Sequence, residues 1–507
     1  MDLSHHINAK SKARHPSPLK DMIALMGQEG MISLAGGLPH PSLFPITNIK
    51  FTAMTADAQK NPGTEITVSQ DSDVPLSQWL QYGSGAGNAQ LRNWCHDFTT
   101  RVHQPAYQDF EVLCNYGNTN AWSKVVSLLL EDDDYILCEN FTYPSAQALW
   151  IPLGNHAAPV ALDDQGMRAD LLEEMLVNWE STHPGKRRPH VMYVVPIGSN
   201  PTGITYSAER KKEIYSICVK YDIIIVEDDP YFFLQFPPPN PSGQSGPEVV
   251  DNKTFLDSLS PSFLRYDYQG RVIRLESFSK NLAPGLRLGF FVANPIFSER
   301  LLRALEVDTQ DPSGLSQAFV LSLLQSWGHE GFVRWMQNIR SEYQRRRDWM
   351  VAAFSDQFEL VPAEQCSDLS GEQGLVALLK SADETKKPVP VFSFVPPTAG
   401  MFVWAKFYLN SNPNFKKALS HGNMLDPEQN FANQLWRKFS EDLVLVTPGS
   451  YYHPWEGKAK TTTKTRGGEP GVAHFRFSFA MTTKEDMEQG IERFANVVRK
   501  SWGFSCE

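Results

Sequence analysis

The sequence predicts an α/β protein, with a large domain on a mostly parallel sheet flanked by helices and a smaller α+β domain after it. Two observations carry this reading. From about residue 110 to 295, short apolar β-branched runs alternate with helical patterns, the signature of βα units. From about residue 330 onward the pattern changes to long amphipathic stretches, such as 333–354, and ends in strands around 401–406 and 474–479. The expected division is an N-terminal arm, residues 1–50, contributing to the small domain, then a large domain at 51–330 and a small domain at 331–507.

The expected strands of the large sheet are 111–116, 135–139, 190–196, 223–227, 272–276 and 288–293. Ile214, Ile217, Cys218 and Tyr221 recur at helical spacing between the third and fourth, which gives a crossover helix one apolar face. Residues 237–247, 367–390 and 457–470 are rich in Pro, Gly or polar residues. We read all three as surface insertions, remote from catalysis.

Of the 507 residues, 41% are hydrophobic and 21% charged, which disfavours disordered, collagen-like and membrane classes. The formal net charge of -10, from 47 basic and 57 acidic residues, repels nucleic acid and anionic lipid at long range. The six cysteines, Cys95, Cys114, Cys138, Cys218, Cys366 and Cys506, lack CxxC or His-interleaved spacing, so neither a metal site nor a disulfide framework is expected. The first eighteen residues carry basic and histidine side chains without an apolar core, unlike a secretory signal, and no apolar run reaches membrane-spanning length. Cytoplasm is the expected compartment.

Chemistry concentrates at strand ends. Arg274-Leu275-Glu276-Ser277-Phe278-Ser279-Lys280, followed by Arg287, offers an amine and several phosphate ligands together. A Schiff base requires a deprotonated amine, and burial or a neighbouring cation such as Arg287 provides it. Upstream, the apolar run 223–226 leads into Glu227-Asp228-Asp229-Pro230-Tyr231 at its carboxyl end, where open α/β sheets bind ligands. Asp228 suits a protonated pyridine nitrogen, Tyr231 a ring hydroxylate. The plain alternatives are an exposed lysine and a solvated acidic cluster.

Four further sites have both a functional and an ordinary reading. Asn200, before Pro201, suits a cis or tightly turned bond aiming its amide inward, or an ordinary turn. Asn118 and Thr119 lie where a helix start follows a strand, placed to bind phosphate or simply to cap. Tyr143 suits stacking on a flat ring, or core packing. Arg476 opposes its apolar neighbours in an alternating strand, where it can fork onto a carboxylate or face solvent.

Together these residues resemble the fold-type I pyridoxal-phosphate aminotransferases of class I, and within them the fungal aromatic aminotransferase and kynurenine/2-aminoadipate aminotransferase group. The likeness runs from 12–19 and 32–39 to the Arg476 strand. It implies pyridoxal 5'-phosphate as cofactor, with Lys280 as Schiff-base lysine and proton shuttle, Asp228 on the pyridine nitrogen and Tyr231 on the ring oxygen. It further implies phosphate binding by Asn118, Thr119, Ser277, Ser279 and Arg287, ring stacking by Tyr143, and Asn200 reaching both ring oxygen and substrate. Arg476 would take the substrate α-carboxylate. Gly37 and Tyr82 would border the substrate, with Tyr82 reaching a neighbouring subunit's site, hence a homodimer. Position 20 is lysine where some relatives carry arginine near the substrate side chain.

The implied reaction moves the amino group of an aromatic amino acid to a 2-oxo acid such as 2-oxoglutarate by a ping-pong route, with 2-aminoadipate or kynurenine as the alternative donor. A lyase or decarboxylase on the same fold stays open. A dehydrogenase reading of Gly83-Ser84-Gly85-Ala86-Gly87 fails, because no strand precedes the run and its last spacing is wrong. A non-catalytic regulator would need an added DNA-binding domain, for which the chain has no room.

Overall fold

The computed structural model describes residues 1–16, 28–32, 34–35, 37–239, 250–369, 371–380, 387–420 and 424–504. Its larger sheet has seven strands: β1 (Glu111–Asn115), β2 (Tyr135–Glu139), β3 (His156–Val160), β4 (Val191–Val194), β5 (Ile224–Asp228), β6 (Val272–Ser277) and β7 (Gly289–Ala293). Their order is β1-β7-β6-β5-β4-β2-β3. The run from β6 to β3 is parallel, whereas β7 is antiparallel to both of its neighbours. A parallel return needs a crossover of a dozen or more residues. Only residues 278–288 join β6 to β7, so the chain doubles back and leaves the Lys280 loop at the carboxyl edge of the sheet.

All six expected strands of this sheet form. β3 was not expected: it is the edge strand, and Pro159 within it removes a ladder donor, which only an edge tolerates. The crossover helix Ala208–Lys220 is capped by the Ser207 hydroxyl, which accepts from the Arg210 N–H at 3.1 Å, and it buries Ile214, Ile217 and Cys218 against the sheet. Helix Asn118–Leu129 buries Trp122, Val125, Val126 and Leu129 on the other side. The first residues of the chain dock against this helix. Leu3 and Ile7 join its apolar cluster, and the Asn8 amide donates to Leu130 O at 2.7 Å.

The long helix expected at 333–354 extends from Gly314 to Gln357 and is broken at Gly328, whose φ of 63° interrupts the helical path. It leads into a second, antiparallel sheet of β8 (Glu359–Pro362), β9 (Leu375–Leu379), β10 (Val389–Phe394), β11 (Phe402–Tyr408), β12 (Thr447–Pro448) and β13 (Val472–Ser478), in the order β8-β9-β10-β11-β13-β12. One face of this sheet packs Phe392, Phe407, Phe475 and Phe477 against Phe494 of helix Lys484–Trp502. The other face carries Trp404, His474 and Arg476, and Phe141 from beyond β2 lies against the first two rings. Alternation along β13 thus divides core from site.

One of the expected surface insertions needs correction, and a second lies on the surface as expected but is anchored. Residues 367–390 contain β9, with Val376 and Ala377 fully buried. Averaging over the polar flanks hid five consecutive apolar residues. Residues 457–470 lack regular structure but are tied down: the Thr463 N–H and hydroxyl both donate to Asp426 at 2.9 Å, and Lys406 pairs with Glu469 at 2.7 Å. Of the third segment, 237–247, residues 240–247 lie outside the described residues. Among the described residues no helix is long and apolar enough to cross a membrane.

Candidate active site

The carboxyl ends of β4, β5 and β6 and the start of helix Asn118–Leu129 meet at a cavity of about 280 Å³. Ten expected residues line it: Asn118, Thr119, Tyr143, Asn200, Asp228, Tyr231, Ser277, Ser279, Lys280 and Arg287. The convergence of segments so distant in the chain follows from parallel topology, which brings every βα loop to one edge.

Lys280 sits three residues beyond β6. Burial, then the guanidinium groups of Arg287 and Arg476, lower its pKa and favour the neutral amine. Asp228 ends β5, and it accepts from the Asn118 amide on one oxygen and the Tyr193 hydroxyl on the other, each at 2.6 Å. Burial raises its pKa, while these two bonds and Arg274 act in the opposite direction. Its direct partners are neutral, so the carboxylate can still receive a cation. Burial and the nearby Asp228 charge push the Tyr231 phenol up, keeping it a donor.

At the other end of the cavity, Arg287 adopts a left-handed backbone, φ 47°, and its guanidinium donates to Tyr116 O and Pro284 O at 2.9 Å and to the Ser279 hydroxyl at 3.3 Å. Gly117, at φ 90°, makes this approach possible, because a Cβ there would lie 2.6 Å from the Arg287 Nη2. The helix beginning at Asn118 presents unpaired N–H groups next to this cation and Ser277, a combination suited to phosphate.

Arg476 enters from β13. Its Nη1 donates to the Asn200 Oδ1 at 2.6 Å, and its guanidinium lies 4.1 Å above the Phe402 ring and 5.1 Å from the Tyr452 ring. Asn200 precedes Pro201 through a cis bond. The Arg476 Nε is buried without an acceptor, and no acid among the described residues pairs with this guanidinium. A ligand carboxylate would satisfy both deficits.

Some expected roles are not met within the single chain, and some lining residues were not expected. The Asn118 side chain, expected on phosphate, is engaged by Asp228 and Leu275 O. Gly37 is exposed, with no atom within 4 Å of where its Cβ would be, and Tyr82 is 56% exposed; neither lines the cavity of the single chain. Lys20 lies outside the described residues. Tyr193 and Phe402 went unnoticed, although both line the cavity. Tyr193 is a hydroxyl near the carboxyl end of an otherwise apolar strand, a signal available in the sequence.

A desolvated lysine, a strand-end carboxylate with only neutral direct partners and a phosphate-type cradle in one cavity together suit a pyridoxal-phosphate cofactor. Residues 68–494 match the family described as aminotransferase class I and II. An aromatic amino acid aminotransferase of Schizosaccharomyces pombe is 34% identical over 100% of this chain and 99% of its own length. An L-tyrosine:2-oxoglutarate aminotransferase of Serpula lacrymans is also 34% identical, over 89% of this chain and 84% of its own. The crystal structure of an aminotransferase from Candida albicans superposes with a TM-score of 0.85 at 33% identity, covering 99% of both chains. The chain belongs to the class I and II aminotransferase family, and its cofactor is pyridoxal 5'-phosphate.

Proposed function

We propose that this enzyme transfers the amino group of phenylalanine, tyrosine or tryptophan to a 2-oxo acid such as 2-oxoglutarate. The observation that carries the reading is the single cavity joining Lys280, Asp228 and the phosphate-type cradle, with the unpaired guanidinium of Arg476 at its border. The names of the S. pombe and S. lacrymans relatives support the substrate class.

Bound in this cavity, pyridoxal phosphate supplies an electron sink for the pair left when the substrate loses its α-proton. Asp228 would hold the positive charge of the ring nitrogen, and Tyr231 would donate to the ring oxygen. Ser277, Ser279, Arg287, Thr119 and the helix N–H groups at Asn118 would hold the phosphate, and Tyr143 would lie against the ring. Arg476 forks onto the α-carboxylate, with Asn200 fixing the guanidinium plane. Lys280, whose neutral form burial favours, would carry the proton from the substrate Cα to the cofactor carbon that bears the amino nitrogen. Apolar walls from Trp122 and Phe402 limit water at that amine.

The same reading makes the protein a cytoplasmic homodimer divided at about residues 50 and 330. Tyr82, exposed in one chain, would complete the site of the other, and Gly37 would border substrate. Initial rates with phenylalanine and 2-oxoglutarate should give parallel double-reciprocal lines, as ping-pong exchange requires. Intersecting lines, or turnover of 2-aminoadipate or kynurenine well above all three aromatic donors, would replace this assignment.

A further inference from the structure

A second cavity, of about 490 Å³, shares no lining residue with the first. It lies between the ends of β2 and β3 and the outward face of the second sheet, and residues 457–470 form part of its wall. Its size falls within the range of small-molecule sites, and an adjoining recess of about 420 Å³ shares Arg466 and His453 with it.

The charges in this space are unusually placed. Arg466 donates to Thr461 O at 2.7 Å but forms no ion pair among the described residues, and Glu456 likewise forms none. Burial lowers the Arg466 pKa and raises that of Glu456, so each charge is partly desolvated without a direct counter-ion. The Asn140 Oδ1, also in the lining, is buried with no donor. The Phe141 ring packs against His453 and His474, at 5.3 and 4.8 Å between centroids. Burial holds both imidazoles neutral, with pKa values pushed down to about 4 and about 3.

Arg466 and Glu456, which attract each other without meeting, a further acid at Glu428 and an unmet acceptor around an aromatic surface match a small zwitterion with an apolar body. They match a polyanion poorly, because Lys406, the other cation in the lining, is already paired with Glu372 and Glu469. We propose that this cavity is a second binding site for a free α-amino acid with an aromatic or apolar side chain. The carboxylate lies on Arg466, the ammonium group faces Glu456 and the Asn140 Oδ1, and the side chain packs on Phe141. Phe141 stands two residues from Tyr143, and His474 two from Arg476, so the occupant would press on both segments that border the first cavity.

The test is calorimetric titration of L-phenylalanine into holoenzyme in its pyridoxamine form, with no 2-oxo acid present, using wild type, Arg476→Ala, Arg466→Ala and Glu456→Gln, the last two also combined with Arg476→Ala. The expected result is binding that persists in Arg476→Ala and weakens about tenfold or more when Arg466→Ala or Glu456→Gln is added to that variant, while in the Arg476→Ala background 3-phenylpropionate, which lacks the amine, binds about tenfold more weakly than phenylalanine. Arg466→Ala and Glu456→Gln should keep wild-type kcat/KM, which shows that they fold. Loss of all binding in Arg476→Ala, undiminished binding when Arg466→Ala is added to it, or equal binding of 3-phenylpropionate in that background would overturn the proposal without affecting the assigned transamination.

Discussion

Glu227, Asp228 and Asp229 are adjacent acids at the end of β5, all buried, yet they occupy two chemically different environments. Glu227 and Asp229 lie on one side with the fully buried Arg274, which pairs with each at 3.0 Å and with Glu276 at 2.6 Å; His103 in turn meets Glu276 at 2.9 Å. Asp228 faces the opposite side, where its direct partners are an amide and a phenol. The back cluster is compensated within the protein. Asp228 is oriented but not neutralised by direct contact, as the proposed role requires of a carboxylate whose counter-charge would arrive with the ligand.

Exchanging the charge on each side should therefore fail in different ways. Asp228→Asn keeps the shape and removes the charge, so kcat should fall about 10²–10³-fold with little change in the unfolding midpoint. Arg274→Met leaves three buried acids without their guanidinium and should cost about 3–5 kcal/mol of stability in denaturant titration, with activity per folded molecule largely retained. If instead the Arg274 variant is stable and the Asp228 variant unfolds, the division between the two sides is wrong.

Tyr193→Phe tests the orienting bond and should have a smaller effect. Its loss costs about 1.5–3 kcal/mol of interaction with the carboxylate. The bond lowers the Asp228 pKa, so removing it raises that pKa, and the acid limb of kcat/KM should move to higher pH. An unmoved limb would assign Tyr193 to packing alone.

A last effect, on stability and not on turnover, concerns the second sheet. His453, at about 4, and His474, at about 3, lie below the ordinary 6.5. Between pH 6.5 and about 4 the unfolded chain binds protons that the folded one refuses, so stability falls as pH falls, by about 1.4 kcal/mol per pH unit for each histidine. His474→Phe should flatten that decline in urea midpoints measured from pH 7 to 5.

Much of this was legible because periodicity reports the parallel sheet and the chemistry sits in contiguous strand-end motifs. The Lys280 loop, the Asp228-Tyr231 pair and Asn200 all line the cavity from such motifs. The features that escaped have physical reasons. β3 contains a proline that only its edge position permits, and β9 is five apolar residues inside a polar stretch. Tyr193 resembles core strand until Asp228 is folded against it, and the Asn118 side chain chose a carboxylate 110 positions away over the phosphate cradle beside it. Local pattern specifies elements, whereas long-range pairing decides which neutral donor serves which charge.

The central claim is that Lys280 holds the cofactor. Holoenzyme reduced with borohydride and digested should yield one pyridoxyl-modified peptide, with the added mass on Lys280, and the Lys280→Ala variant should yield none. Modification of another lysine in the wild-type protein, or none in protein saturated with pyridoxal phosphate, would contradict the assignment.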